Sequence, residues 1–267
     1  MKKKAKAVLI EDPLEAMLSR LQLGGLRDRL DSLLDEAVRA DLNLREALTM
    51  LFSVEIARRD ERRIQMGTSI AKMPFVRTLD GFDFEAQSSI DPKQIRELAT
   101  SRWIANGDCL LLLGPPGVGK THLAVALSRE AITRGYSTLF TPATELVTVL
   151  SKAHQEGRLE DKLRHYCKPK LLVIDELGYL PLERNAAHLL FQLVNRRYER
   201  GSLLLTSNRA PSEWGEVLGD PVVATAILDR LLHHSHVVTI RGESYRLRAK
   251  RKSGLLSRTS NPESEKG

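Results

Sequence analysis

A glycine-rich octapeptide, Gly-Pro-Pro-Gly-Val-Gly-Lys-Thr, lies between the apolar run Leu110–Leu113 and a second apolar stretch that begins at His122. Glycines at this spacing let backbone N–H groups wrap a phosphate, while the lysine reaches the β- and γ-phosphates and the threonine hydroxyl binds Mg²⁺. The positive end of the following helix favours the same anion. The pattern predicts a P-loop for ATP and Mg²⁺ formed by Gly114, Pro115, Pro116, Gly117, Val118, Gly119, Lys120, Thr121 and His122.

Two adjacent carboxylates, Asp175 and Glu176, end another apolar run about 50 residues after the P-loop. A carboxylate at the end of a buried strand can bind Mg²⁺ directly or through its water shell. A neighbouring carboxylate can polarise the attacking water as a general base. We assign Asp175 to the metal and Glu176 to the base. Because a small-molecule kinase would not require the second acid, the pair favours an ATP hydrolase.

Further polar residues have roles that their residue types alone leave open. Asn208 follows the apolar run that begins at Leu203, and either orients the lytic water, senses the γ-phosphate or belongs to an ordinary loop. Arg230, on an amphipathic helix, and Arg246 are either solvated or stabilise charge on a transferring phosphoryl group. A histidine cluster lacks cysteines or carboxylates at ligand spacing, which favours surface or strand-edge positions over a metal site for His233, His234 and His236.

Short apolar runs alternate with helical stretches from residue 108 onward. Runs of four or five residues that are apolar on both faces are typical of buried parallel strands. Helical segments such as Lys120–Arg134 and Ala186–Arg200 lie between them. The alternation predicts a three-layer α/β fold with a parallel sheet. Its predicted strands are Cys109–Leu113, Ser137–Phe140, Leu171–Ile174, Leu203–Thr206 and Val237–Ile240.

The chain before this region has a different pattern. Residues 13 to about 66 carry leucines at helical spacing, with a break at Gly24-Gly25 and a helix cap at Asn43. Residues 67–90 lose periodicity, and Asp91-Pro92 begins another helix. We therefore expect a small all-α domain over 1–70 that binds DNA or a partner, a linker over 71–90, a P-loop ATPase domain over 91–248, and a basic, polar, disordered tail over 249–267.

Composition limits the class of protein. The 267 residues are 42% hydrophobic, enough for a sizeable core, and the net charge of +7 favours a polyanionic partner over a merely basic enzyme surface. Cys109 and Cys167 are far apart in or beside apolar runs, which indicates buried hydrophobes rather than a disulfide or a Cys-rich zinc site. Acidic residues follow the N-terminal lysines, and no window suits a membrane helix, so we expect no membrane association and a cytoplasmic location.

Together these motifs resemble the IstB-like ATPases, helper proteins encoded beside the transposase of certain bacterial insertion sequences. They belong to the initiator branch of the AAA+ ATPases, which also contains the DnaC-type helicase loaders. The similarity covers nearly the whole chain. Its most specific segments are Gly114–Thr121 with the following His-Leu-Ala, Val173–Tyr179, Leu205–Asn208, Ile227–His234 and Phe82–Phe84.

The resemblance implies roles for the residues that were open. Asn208 matches the sensor-1 position, Arg230 the arginine finger that reaches the neighbour's ATP, and Arg246 the sensor-2 arginine. Because the chain beyond Arg246 is short, any lid must be minimal. The resemblance also implies a homo-oligomer formed with ATP, a cognate transposase, and largely sequence-independent binding of duplex DNA.

Basic residues recur in two places where phosphate contacts are expected. One is a helical stretch after the second predicted strand, where initiator-type ATPases carry a DNA-contacting helix: Lys152, Arg158, Lys162 and Arg164. The other is a charged run whose alternative is a solvated helix face: Arg58, Arg59, Arg62 and Arg63. The predicted function is an ATPase that assembles on DNA and recruits a transposase. A helicase loader, a DNA-binding scaffold with little turnover and a small-molecule kinase remain alternatives.

Overall fold

The computed structural model describes residues 12–179, 183–245 and 247. Arg246 and the predicted tail over 249–267 lie outside the described residues. The chain divides into two compact units, one ending at Gln65 and the other beginning at Met66. Among the described residues, no helix combines the length and the apolar character that a bilayer crossing requires.

The N-terminal helices are α1 (Pro13–Arg20), α2 (Gly24–Arg27), α3 (Leu30–Arg39) and α4 (Leu44–Ile70). Asn43 caps α4 as predicted, since its Oδ1 accepts from the N–H of Glu46 at 3.1 Å and its own N–H donates to the Glu46 carboxylate at 3.0 Å. The small core of the first unit consists of leucines at helical spacing: Leu18, Leu26, Leu30, Leu33 and Leu51.

Helix α4 continues past the point where the sequence pattern predicts a junction. Gly67 lies inside the helix, and a Cβ at this position would lie 2.7 Å from Cγ2 of Ile132. The glycine therefore permits close packing against a neighbouring side chain and does not end the helix. The predicted loss of helical structure from residue 67 is wrong by four residues, because α4 ends only at Ile70.

The second unit contains a five-stranded, wholly parallel sheet in the order β2-β3-β4-β1-β5. The strands are β1 (Cys109–Leu113), β2 (Thr138–Pro142), β3 (Leu171–Leu177), β4 (Ser202–Ser207) and β5 (Ser235–Thr239). Each predicted apolar run lies on one of them. Burial on both faces is wrong for β5, because this strand is at the sheet edge and leaves His236, Val237 and Thr239 exposed.

Helices cover both faces of the sheet, which confirms the three-layer α/β fold. Leu110, Val173 and Leu204 face a core that includes residues of the helices α5 (Pro92–Ala99), α6 (Arg102–Asn106) and α7 (Lys120–Thr133). Alternate strand residues face a second core, formed with α8 (Ala143–Gln155), α9 (Leu159–Cys167), α10 (Arg184–Arg197), α11 (Trp214–Val217) and α12 (Pro221–His233).

The strand order decides where the predicted site residues meet. Strand β4 lies between β1 and β3, and all three point the same way. The carboxyl ends of parallel strands lie along one edge of a sheet, where open α/β sheets bind ligands. The loop after β1, the acids at the end of β3 and Asn208 after β4 therefore lie side by side.

Candidate nucleotide-binding site

The loop between β1 and α7 is built from glycines that no larger residue could replace. Gly114, Gly117 and Gly119 have φ angles of +153°, +81° and +100°. A Cβ at Gly114 would lie 2.2 Å from the carbonyl oxygen of Ile240, and one at Gly117 would lie 2.2 Å from Oγ of Ser244. The loop thus needs both the left-handed conformation and the absence of side chains, as a backbone that wraps an anion does.

Lys120, the first residue of α7, is buried. Its Nζ donates to the carbonyl oxygens of Gly114 and Pro115 at 2.7 and 2.8 Å, so the ammonium lies against the loop. Gly119 caps α7 without a side chain, and the first-turn N–H groups have no acceptors within the helix. Lysine charge, helix N-terminus and loop backbone together form an anion-binding site.

The oxygen ligands for a cation come from two different elements. Oγ1 of Thr121 lies 3.1 Å from both carboxylate oxygens of Asp175, and Asp175 is only 6% exposed. Burial raises the pKa of Asp175, although hydrogen bonds from Thr206 and Thr121 and the charge of Lys120 oppose the rise. A hydroxyl and a carboxylate side by side are the hard oxygen donors that suit Mg²⁺.

Glu176 differs from the adjacent Asp175 in its exposure and in its backbone conformation. Its side chain is exposed, its φ angle is +60°, and its N–H donates to Oγ1 of Thr206 at 2.8 Å. The pairing of β3 with β4 shifts register between Ile174 and Leu177, around the two acids. The strand end therefore presents a buried carboxylate for a metal and a solvent-accessible one beside it.

Lys120, Thr121 and Glu176 line one cleft of about 920 Å³, a size usual for ligand sites, and Asp175 lies behind Thr121. Its walls are P-loop residues 116–122, parts of the 75–87 segment, and Glu176, Tyr179, Asn208, Glu243 and Tyr245. Oδ1 of Asn208 is buried and has no hydrogen-bond partner within the described part of the chain. An orphaned acceptor on the cleft wall fits a residue that orients a water or a ligand.

The 75–87 segment supplies a wall of the cleft that sequence reasoning did not assign. Phe82 packs edge-on against His122 with ring centroids 5.2 Å apart, and Nε2 of His122 lies 3.0 Å from the carbonyl oxygen of Thr78. Nε2 of Gln87 donates to the carbonyl of Val118 at 3.1 Å. Only the Phe82–Phe84 motif signalled this role, because Thr78 and Gln87 act through contacts that no local pattern marks.

Comparisons with known proteins decide the family. The model of the IstB-like ATP binding protein family matches residues 16–253. The chain belongs to this family. It is 48% identical over 252 residues to the relative from Pseudomonas aeruginosa named for ATP binding in insertion sequence IS21, a match that covers 94% of this chain and 95% of the relative. The corresponding relative of insertion sequence IS5376 from Geobacillus stearothermophilus is 49% identical over 232 residues, covering 87% and 92%.

A solved structure supports the fold of this IstB-like protein. AMPPCP-bound DnaA from Aquifex aeolicus aligns with a TM-score of 0.54 and 20% identity, covering 72% of this chain and 59% of that chain. At this identity the likeness shows the fold alone, and it confirms the predicted AAA+ P-loop architecture. The family to which the chain belongs is described as ATP-binding.

The predicted arginine finger of this IstB-like protein does not reach its own cleft. Arg230 lies on α12, where Nε donates to Oδ1 of Asn195 at 2.8 Å and Nη1 donates to the carbonyl of Ala226 at 3.0 Å. Its guanidinium lies over the ring of Phe191, 4.9 Å from the centroid. Arg230 is not among the described residues that line the cleft. This position is compatible with a role in the cleft of a neighbouring molecule.

The predicted DNA patch on α4 forms ion pairs within the first unit. Arg58 pairs with Asp28 at 3.2 Å, and Arg59 pairs at 2.9 Å with Glu55. Glu55 is buried and accepts from the N–H groups of Gly25 and Leu26, so this arginine helps to hold the first unit together. The other two arginines of the patch, Arg62 and Arg63, are exposed, and Arg63 pairs with Asp60 at 3.1 Å.

The other predicted DNA patch is exposed on α8, α9 and the turn between them. Lys152 lies 4.0 Å from Glu156, which also pairs with Arg158, and Arg164 lies 3.5 Å from Asp161. Lys162 is exposed on α9. As predicted, the basic side chains lie on helices that follow β2, although neighbouring acids balance part of their charge.

The three histidines are exposed, as the sequence predicts, but a carboxylate that the sequence does not signal lies beside two of them. His233 and His234 lie with Glu199 so that one ligand atom from each is within 4.8 Å of the others, and all three residues are exposed. The hydroxyl of Tyr198 contacts Nδ1 of His233 at 2.8 Å. His236 instead lies 3.7 Å from Asp108. The carboxylate was missed because Glu199 precedes the histidines by more than 30 residues.

Proposed function

We propose that this protein is an ATP hydrolase whose ATP-bound form assembles on duplex DNA, recruits or activates a transposase, and disassembles on hydrolysis. The carrying observation is the arrangement of Thr121, Asp175 and Glu176 beside the P-loop, with a buried metal-binding carboxylate next to an exposed one. The insertion-sequence relatives support the transposase as partner, and the net charge of +7 supports DNA.

In this mechanism the P-loop N–H groups and the ammonium of Lys120 hold the β- and γ-phosphates. Thr121 and Asp175 would hold Mg²⁺, which would supply positive charge to neutralise the phosphates. Glu176 accepts a proton from the water that attacks the γ-phosphorus while the bond to the bridging oxygen breaks. Asn208 orients that water, and Arg230 from a neighbouring copy stabilises the transferring group. The sensor-2 role of Arg246 stays a prediction.

The test is phosphate release and sedimentation of the full chain, each measured with and without duplex DNA. We expect ATP to increase the sedimentation coefficient and DNA to stimulate turnover. Turnover without assembly or DNA stimulation would favour a small-molecule kinase. Assembly on DNA without turnover would favour a nucleotide-gated scaffold.

Glu176→Gln separates binding from hydrolysis. The amide keeps the shape of the side chain but cannot accept the water's proton, so we expect turnover to fall at least about a hundredfold. ATP affinity should change little, and the ATP-bound assembly should stay on DNA. Normal turnover in this variant would refute the role of Glu176.

The DNA surface is tested by removing equal charge from each candidate patch. We assign the phosphate contacts to the patch on α8 and α9, because two arginines of the α4 patch pair with Glu55 and Asp28. Removing two phosphate contacts with Lys162→Ala and Arg164→Ala is expected to reduce the slope of log affinity against log salt by about two. Arg62→Ala with Arg63→Ala is the matched control. A larger effect of the control pair would assign DNA to the α4 patch.

The partner is tested by capture with the full-length chain held in its ATP-bound form by Glu176→Gln. We expect the transposase encoded beside it to bind and a replicative helicase not to bind. The opposite result would identify a helicase loader, which shares the same P-loop domain. Capture repeated with Lys120→Ala tells whether binding requires ATP.

A further inference from the structure

We propose that Thr206, in β4, is the positioning residue that aims both acids of the site, Asp175 at the metal and Glu176 at the water. The inference rests on the proposed ATP hydrolysis and assigns a function to a residue that touches neither nucleotide nor water itself.

The hydroxyl of Thr206 bridges the two acids. Thr206 is fully buried, its Oγ1 donates to Oδ1 of Asp175 at 2.6 Å, and the same oxygen accepts from the N–H of Glu176 at 2.8 Å. A threonine hydroxyl has one proton to donate and lone pairs to accept. The proton is directed to the metal-binding carboxylate, and a lone pair holds the backbone of the base.

The bridge sits at a β-bulge. Strand β3 pairs with β4 residue by residue as far as Ile174 opposite Leu205, and pairing resumes with Leu177 opposite Ser207. Asp175 and Glu176 therefore oppose a single residue of β4, Thr206, which is the two-against-one pattern of a bulge. The threonine side chain replaces the ladder bond that the bulge removes from the N–H of Glu176.

The bulge explains how consecutive residues serve one site. In a regular strand successive side chains point to opposite faces of the sheet. A bulge re-aims a side chain, and here Glu176 takes a φ angle of +60°, in the left-handed region that a non-glycine residue rarely adopts. A conformation of this kind persists only where its surroundings hold it. The hydroxyl of Thr206 is the side-chain group that bonds to the peptide N–H at that point.

The experiment compares Thr206→Val, which keeps the shape and removes the hydroxyl, with Thr206→Ser, which keeps the hydroxyl. Thr138→Val is the matched control, because Thr138 is a buried strand threonine of the same sheet whose hydroxyl, among the described residues, bonds to the carbonyl of Tyr136 at 3.3 Å and to neither acid. The full-length variants are assayed for kcat, for KM of ATP, and for the half-saturating Mg²⁺ concentration in fluorescent-nucleotide binding.

We expect Thr206→Val to lower kcat at least about tenfold and to raise the half-saturating Mg²⁺ concentration at least about threefold, with metal-free nucleotide affinity within about twofold of wild type. Thr206→Ser should restore both values to within about threefold, and Thr138→Val should leave them unchanged. An unaltered kcat and Mg²⁺ requirement in a folded Thr206→Val protein would overturn the proposal, as would an equal loss in Thr138→Val or no rescue by serine.

The outcomes separate this proposal from the proposed function. A wild-type protein that binds Mg²⁺-nucleotide without turnover would refute hydrolysis, and the positioning of Asp175 would then be decided by the Mg²⁺ requirement alone. A wild-type hydrolase whose Thr206→Val variant matches it in every measure would refute only the role of Thr206.

Discussion

At the residue scale, the buried charge of Asp175 lowers the stability of the metal-free protein. Its carboxylate lies in a buried position, with hydroxyl groups of Thr121 and Thr206 as hydrogen-bond partners, and burial raises its pKa above 3.8. A raised pKa means that the folded protein binds the proton more readily than the unfolded chain. The charged form therefore destabilises the metal-free fold, and the free energy of unfolding falls as the pH rises from 3.8 through the raised pKa.

Asp175→Asn is accordingly expected to raise the Tm of the nucleotide-free protein at neutral pH by about 2–4 °C, which corresponds to ~1 kcal/mol in a chain of this size. The gain should vanish at acidic pH, where the wild-type carboxyl is protonated, and Mg²⁺-dependent ATP binding should be lost. Thermal unfolding measured across pH checks the stability effect. The exposed Asp161→Asn serves as control, and a lower Tm for Asp175→Asn at neutral pH would contradict the argument.

A second residue-scale prediction separates the steric clash of an added Cβ from the strain of a positive φ angle. Gly114→Ala places a Cβ 2.2 Å from a backbone oxygen of Ile240, so the loop must move. We expect ATP affinity to fall at least about tenfold. Gly157→Ala is the control, because Gly157 also has a positive φ angle, +68°, but no described residue other than its chain neighbours lies within 4 Å of its Cβ position. It should lose some stability and keep its ATP affinity; equal ATP affinities in the two variants would exclude the steric explanation.

At the scale of elements, Arg197 ties the end of α10 to the amino-terminal edge of the sheet. Its guanidinium donates to the carbonyl oxygens of Tyr166, Pro169, Lys170 and Ser202 at 2.7 to 3.1 Å, and its side chain is 1% exposed. Burial lowers the pKa of Arg197 to about 10, which still leaves it charged at neutral pH. Three of the carbonyls precede β3, and the fourth belongs to the first residue of β4; these strands carry Asp175 and Thr206.

Arg197→Met is expected to lower the free energy of unfolding by about 3 kcal/mol or more, because it removes a side-chain donor from each of four carbonyls. Urea unfolding measures this directly. The neighbouring Arg196→Met is the matched control, since Arg196 is partly exposed and pairs with Glu160 at the surface. Exposed ion pairs contribute little, so its midpoint should hardly move. Equal destabilisation by the two substitutions would argue against the buried tie.

At the scale of the whole molecule, the position of Arg230 outside its own cleft is consistent with our proposal that the active assembly contains more than one chain. A site completed by a neighbouring copy can be divided between two inactive variants. Arg230→Ala retains its P-loop but offers no arginine, and Lys120→Ala retains the arginine but cannot hold the phosphates.

We expect each variant alone to show turnover at least about a hundredfold below wild type. An equimolar mixture should recover turnover well above either variant, because a Lys120→Ala subunit can serve the ATP of an Arg230→Ala neighbour. Phosphate release from the mixture is the measurement. The Arg230→Ala protein should bind ATP normally. Full turnover by Arg230→Ala alone would show that Arg230 is only a surface arginine.

The P-loop residues could be predicted from the sequence because they belong to one short, contiguous segment. Gly114–Thr121 needs glycine torsions, an ammonium and a hydroxyl in a strand–loop–helix context, and each is visible in the residue order. The apolar runs likewise predicted the positions of the five strands, because a buried parallel strand is apolar throughout its length, although the edge strand β5 is exposed in part. The α/β class and the family followed from such local chemistry, and the assignment of the P-loop residues to ATP stays a prediction.

Only the tertiary structure decided which distant residues meet. Thr206 lies 31 residues from Asp175, and Thr121 lies 54 residues from it, and no periodicity signals their convergence. The wall formed by Thr78 and Gln87, the tie made by Arg197 and the approach of Glu199 to the histidines have the same origin. Strand order and the β3 bulge set these contacts, and they depend on packing of the whole sheet, whereas a P-loop depends on eight neighbouring residues.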